Sequence, residues 1–490
     1  MLCGPPGLDG RPTVLSGGNP KPETRNPKQI QMLQLQMLKT NAGRGFRSLL
    51  VCSFVFVSGF GLVISDLGGQ RALVLAWICR HAPSFRLRHP PAAFKLKQDM
   101  NYRISQHAAS LSPSLTLAID SKAKQMKADG QDVVGFGAGE PDFDTPQHIK
   151  DAAAKALAAG FTKYTPAAGI PELRAAIADK HKRENGLTYK PSQIIVSCGG
   201  KHSCFNVIFA TCQEGDEVII PAPYWLSYPE MVKMAGAKPV IVQTTDRTEF
   251  KLTPDALREA ITLRTRLFVL NSPSNPTGSV YTPEEVEALG KICVENNVLI
   301  MSDEIYEHLL YDGARTRSVA SFSPALYEHT IVTHGFAKAW SMTGWRLGWC
   351  AAPEPIAKAI DAVQSHSTSN PTSFAQKGAV AALTGPQDHL KTWLAEFDKR
   401  RKYAWTKLNA IPGLSCVNAK GAFYLFPNIS KTGLKSTEFC AKLLESEKVA
   451  AVPGIAFGAD DYIRLSYATS MANIEKGLAR IEKFCQTLVK

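Results

Sequence analysis

No two of the 11 cysteines in this chain form a CxxC pair. Scattered and odd in number, they argue against a disulfide framework and a zinc site, and fit reduced thiols in a reducing compartment. No set of residues with metal-ligand spacing appears elsewhere, so no metal is expected. Acid is scarce in one region only. Residues 1–98 carry 13 Lys/Arg against Asp9, Glu23 and Asp66, a balance of +10. Residues 99–490 carry 43 against 40, a balance of +3. The basicity belongs to the N-terminal tail, so neither nucleic-acid binding nor stable membrane association is expected of the body. Internal repeats, heptad runs and long low-complexity tracts are also missing. The Gly-Gly-Lys at 199–201 is no Walker loop, because the first glycine of that motif would fall at Ile195.

The tail reads unlike the rest. "GFRSLLVCSFVFVSGFGLVIS" (45–65) holds an apolar run of about 16 residues behind Arg44 and Arg47, short for a membrane span and flanked like a signal-peptide core. Leu67 to Gln98 has six Lys/Arg and no acid, like an organelle transit peptide. A signal core followed by a transit-like stretch suits import into a plastid with extra membranes. A membrane anchor, or untranslated sequence upstream of a cytoplasmic protein starting at Met100, are the other two readings.

What is there, from about residue 120, is an alternation of helix patterns with short apolar runs, which predicts an α/β fold. "RLFVLNSPSNPTG" (266–278), "VLIMSDEIY" (298–306) and "TIVTHGFAK" (330–338) each read as a strand ending in polar residues. Between the first two, Thr282 and Glu285 stand at capping-box spacing with Pro283 at the first helical position. The three strand ends recur at the length of a βαβ unit. The expected division is a tail at 1–98, an arm with part of a small domain at 99–148, a large domain at 149–384 and a small C-terminal domain at 385–490, where "GAFYLFP" (421–427) is a separate strand signal.

Ligands of such sheets bind at the carboxyl ends of the strands. Asn271, Asn275, Asp303, Tyr306 and Lys338 all fall there, with Arg346 just beyond. Taken singly each has a plainer use: a solvated lysine, a capping aspartate, a packed tyrosine. Together they suit one cofactor, pyridoxal phosphate. A partly desolvated lysine near other cations loses its proton easily and forms a Schiff base. A carboxylate keeps the ring nitrogen protonated as an electron sink. Tyr306 and Asn275 can bind the ring hydroxyl. The phosphate wants an arginine and a glycine turn opening a helix, which "IIVSCGGKHSCFNVIFA" (194–210) supplies.

"NSPSNPTG", "SDEIYEHLLYDG", "GFAKAWSMTGWRLGW" and "IRLSYATS" together resemble the class I aminotransferases of PLP fold type I. That fold has a large domain with a mostly parallel sheet between helices and a smaller α+β domain. "AGEPDFDTP" (138–146) and "PAPYWLSYPE" (221–230) narrow the resemblance to the I-beta aspartate aminotransferases, including aspartate/prephenate members of cyanobacterial and plastid type. It runs from about Asn101 to Lys490 and leaves out the tail. It implies a dimer with shared active sites that moves an amino group from aspartate to 2-oxoglutarate. Alternatives on the same scaffold are a glutamate- or aspartate-prephenate enzyme making arogenate, or an aromatic or neutral amino-acid transaminase.

Residue by residue, the resemblance makes Lys338 the Schiff-base lysine and proton carrier, and Asp303 the partner of the ring nitrogen. Tyr306 and Asn275 bind the ring oxygen, Trp225 stacks on the ring, and Arg346 clamps the phosphate beside Gly200 and Lys201. Arg464 takes the substrate α-carboxylate as a bidentate pair, and Gly139 lets substrate lie close to backbone. Tyr164 reaches the partner subunit's cofactor. A second substrate carboxylate falls to Lys201, helped by Ser114 and Thr116. One departure stands out: Gly335 occupies the place where many class I enzymes have a phosphate-holding serine.

Overall fold

A computed structural model of the chain describes residues 103–112 and 115–489. The readings of the tail, and Ser114, lie outside the described residues, as does the Thr116 side chain. Among the described residues no helix is long and apolar enough to cross a membrane.

The strands in chain order are β1 (Val134–Gly135), β2 (Ile194–Ser197), β3 (Glu217–Ala222), β4 (Lys238–Gln243), β5 (Thr265–Asn271), β6 (Leu299–Asp303), β7 (Thr330–Gly335) and β8 (Gly348–Ala351). Seven of them form one sheet in the order β2-β8-β7-β6-β5-β3-β4. Only β8 runs against its neighbours, so the sheet is mostly parallel. The central strands show why. Leu267, Phe268, Val269 and Leu270 of β5 are all buried, as are Ile300, Met301 and Ser302 of β6. Near-continuous apolar strands need helices on both faces. Two separate apolar cores supply that cover, one around Val207, Val218 and Met301, the other around Leu257, Phe268 and Leu289.

The expected capping box is present. Thr282 Oγ1 accepts from the Glu285 N–H at 3.3 Å, Glu285 Oε2 accepts from the Thr282 N–H at 2.8 Å, and the helix runs Pro283–Glu295. This helix returns the chain from β5 to β6, whose register pairs Asn271 with Asp303.

The remaining strands are short: β9 (Tyr424–Leu425), β10 (Val449–Ala450), β11 (Val452–Pro453) and β12 (Ile463–Ser466). They make a three-stranded sheet β11-β12-β9 and a β1-β10 pair. "GAFYLFP" thus yields only two strand residues. The others leave the ladder to pack: Phe423 and Ala422 are buried in the core with Phe397 and Tyr467.

Candidate active site

The carboxyl ends of β2, β3, β5, β6 and β7 open on one cavity of about 480 Å³. It is closed from the other side by Arg464 of β12, Tyr424 of β9 and the loop Gly137–Glu140 that follows β1.

One end is built for an anion. β2 stops at Ser197 and the helix Gly200–Thr211 begins after Gly199, whose φ is +98°. A Cβ on Gly199 would lie 2.5 Å from Arg346 Nη2, and one on Gly348 would lie 2.3 Å from the Gly200 nitrogen. Glycine at both places lets the helix start, the Arg346 guanidinium and β8 close on one another. Arg346 sits at φ +53°, a left-handed value that is strained for a residue with a Cβ, and donates from Nη1 to the Thr343 carbonyl at 2.9 Å. A helix start facing an arginine is a ready anion site.

The floor holds a buried carboxylate. Asp303 is 6% exposed. Its Oδ2 accepts from the Tyr228 hydroxyl at 2.5 Å and its Oδ1 from the Ile305 N–H at 3.3 Å. Burial pushes the carboxyl up, and these hydrogen bonds oppose it. Tyr228 lies inside "PAPYWLSYPE" but received no role from the sequence; it stands on the first turn of the helix Ser227–Met234.

Lys338 follows β7 by three residues and is half-buried. Its ammonium donates to the Gly139 carbonyl. Desolvation brings its pKa down to about 8; Glu140 opposes the shift, while Arg464 and Arg346 add to it. Such an amine is substantially neutral near pH 8 and able to attack a carbonyl carbon.

Arg464 is 2% exposed. Nη1 donates to Asn275 Oδ1 at 3.0 Å and Nη2 to the Gly137 carbonyl at 2.9 Å, while Nε has no partner. The guanidinium packs on Tyr424, 4.6 Å from the ring centre. A buried guanidinium with an orphaned N–H calls for an acceptor from outside the protein, and a carboxylate matches it.

Lys338, Asp303, Tyr306, Asn275, Trp225, Arg346, Arg464, Gly139, Gly200 and Lys201 therefore line one cavity. The Tyr306 hydroxyl is 2.9 Å from that of Tyr424, which the sequence marked only as part of the strand signal "GAFYLFP". The Lys201 ammonium stands 5.1 Å from the centre of the Trp225 ring, and the charge of Arg346 adds to burial in lowering its pKa. A Cβ on Gly139 would meet only the Tyr424 hydroxyl, at 3.6 Å, an ordinary contact. Tyr164 is not brought in: it stands 91% exposed and outside the lining. At Gly335 a Cβ would meet Gly348, Ile305 and Leu347, each at 3.3 Å. The place of the expected serine is therefore tight, with Gly348 of β8 among its neighbours.

The family model for aminotransferase class I and II matches residues 131–481. The chain belongs to that family. It is 51% identical over 389 residues to an aspartate aminotransferase of Geobacillus stearothermophilus, covering 78% of this chain and 99% of the relative. An aspartate/prephenate aminotransferase of Nitrosomonas europaea is 47% identical over 391 residues, covering 77% and 98%. Among solved structures, an aspartate aminotransferase from Rhizobium meliloti superposes with a TM-score of 0.76 at 43% identity, covering 79% of this aminotransferase and all of that chain. The fold and the enzyme class expected from the sequence both hold.

Proposed function

We propose that this aminotransferase binds pyridoxal phosphate and exchanges the amino group between aspartate and 2-oxoglutarate, as a homodimer. The observation that carries the reading is the convergence on one cavity of an amine at about pKa 8, a buried carboxylate and a buried arginine with a free N–H.

The donor set fits the cofactor at each end. The start of the helix Gly200–Thr211 and Arg346 suit its phosphate, and Asp303 suits its ring nitrogen. When bound, the cofactor supplies an aldehyde carbon and a ring that draws electrons from the substrate α-carbon. Asp303 holds a proton on the ring nitrogen, and the Tyr228 hydroxyl fixes the carboxylate that does so. Trp225 offers a flat face for the ring to stack on. Arg464 binds the substrate α-carboxylate and thereby aims the α-hydrogen. Lys338 takes that proton as a base and returns it as an acid. Lys201, on the first helical turn, is the cation offered to a second carboxylate. Tyr164, 91% exposed, is available to complete the site of a second copy.

The test is to load the purified protein with pyridoxal phosphate and add L-aspartate alone. A changed visible absorption with stoichiometric oxaloacetate supports the reading. An absorption that responds to aromatic or neutral amino acids and ignores aspartate refutes the substrate.

A further inference from the structure

The end of β7 carries a second set of buried charges, which the mechanism above leaves unused. The His334 side chain is wholly buried, lines the cavity and stacks on Trp349, with ring centres 4.5 Å apart. The Gly335 N–H donates to its Nδ1 at 2.7 Å. The other ring nitrogen, Nε2, stands 2.9 Å from Glu307 Oε1. Glu307 lies against the ammonium of Lys180, whose side chain is 0% exposed, and accepts from Asn185 Nδ2 at 3.0 Å. His308 Nε2 closes the group, 3.4 Å from Glu307 and 3.5 Å from Glu184. Burial would raise the Glu307 carboxyl; Lys180 and His334 overcome that and hold it well below the usual range.

Stability does not account for this arrangement, since apolar groups of similar volume commonly stabilise a fold as well as a buried ion pair does. Its distinctive product is one ring in one orientation, bonded to the N–H of Gly335. From that residue the chain turns toward Lys338. Gly335 has no side chain to brace the turn, and a Cβ there would press on Gly348, Ile305 and Leu347 at 3.3 Å.

We propose that Lys180, Glu307 and His334 form a buried chain of contacts that fixes the turn carrying Lys338, with His334 a positioning residue for transamination. The proposal rests on the reading that Lys338 is the reacting amine.

The test compares His334→Leu, which has no acceptor for the Gly335 N–H, with His334→Asn, whose Oδ1 can take the place of Nδ1. In the cofactor-loaded enzyme, His334→Leu is expected to lower kcat about tenfold with KM for both substrates within about twofold. It should also move the pH midpoint of the bound cofactor's visible absorption by about half a unit or more. His334→Asn should recover kcat to within about threefold of wild type. Wild-type kcat and midpoint in His334→Leu would overturn the proposal. So would His334→Asn behaving no better than His334→Leu when both unfold at the wild-type temperature. Should His334→Leu fail to fold, Glu307→Gln decides: a lower kcat at unchanged KM supports the chain of contacts, and an unchanged kcat and midpoint overturn it. A wild type that ignores aspartate refutes the substrate reading alone, because the absorption midpoint still reads the turn.

Discussion

Two lysines, Lys180 in the helix Pro171–Asn185 and Lys338 just past β7, stand in opposite settings. Lys180 is wholly buried against the Glu307 carboxylate, which the pairing holds well below its usual range. Lys338 is half-buried against a neutral carbonyl, that of Gly139, and loses its proton near pH 8. Burial acts on both. What separates them is the partner: Lys180 lies against a carboxylate, whereas Lys338 faces a carbonyl with arginines nearby, a setting that lets the amine form. A lysine therefore becomes a nucleophile here through what is kept away from it.

The comparison breaks most visibly at Lys338 itself. Lys338→Ala should slow the reaction of the loaded enzyme with aspartate by about three orders of magnitude or more, read in single turnover, because the proton carrier is gone. Stability should be little affected. Lys180→Met should do the reverse in kind. It leaves Glu307 buried without its cation and should lower the unfolding free energy by about 3–5 kcal/mol in urea titrations. A loss below about 1 kcal/mol would mean that the pair is not closed in solution.

Arg464→Ala tests the cation that burial does not neutralise. Removing the buried guanidinium proposed to hold the α-carboxylate should cost about 3 kcal/mol in kcat/KM, roughly a hundredfold. The smallest effect sharpens the contrast. Glu140 opposes the fall in the Lys338 pKa, and Thr343 Oγ1 donates to Glu140 at 2.7 Å. In the cofactor-free protein, the reaction of Lys338 with an aldehyde should rise with pH through about 8, since the neutral amine reacts and predominates above its pKa. Glu140→Gln removes a charge that favours the ammonium, so the midpoint should move below that of the wild type. A midpoint that stays put, or rises, would remove Glu140 from the account.

Much of this was legible before any coordinate. The runs 266–278, 298–306 and 330–338 carry a strand and its polar terminus in adjacent residues, so one local pattern predicts both an element and its reactive end. The capping box at 282–285 was equally local. Tyr228 and Tyr424 were not readable in the same way: an aromatic residue looks the same whether its hydroxyl is idle or holds a catalytic carboxylate. Lys180, Glu307 and His334 were silent for the related reason that a polar residue looks the same in sequence whether it is solvated or paired in the interior.

By itself the sequence determined the central strands β5, β6 and β7 and the polar side chains at their ends, because these follow from periods and caps only a few residues long. The tertiary structure alone decided which of those side chains meet. Tyr228 and Asp303 are 75 positions apart, Lys180 and Glu307 are 127, and Arg464 and Gly137 are 327. Their contacts depend on strand order and on the packing of the small sheet over the large one. No local period carries that information, and desolvation, which sets the chemistry of Lys338 and Asp303, exists only once those contacts are made.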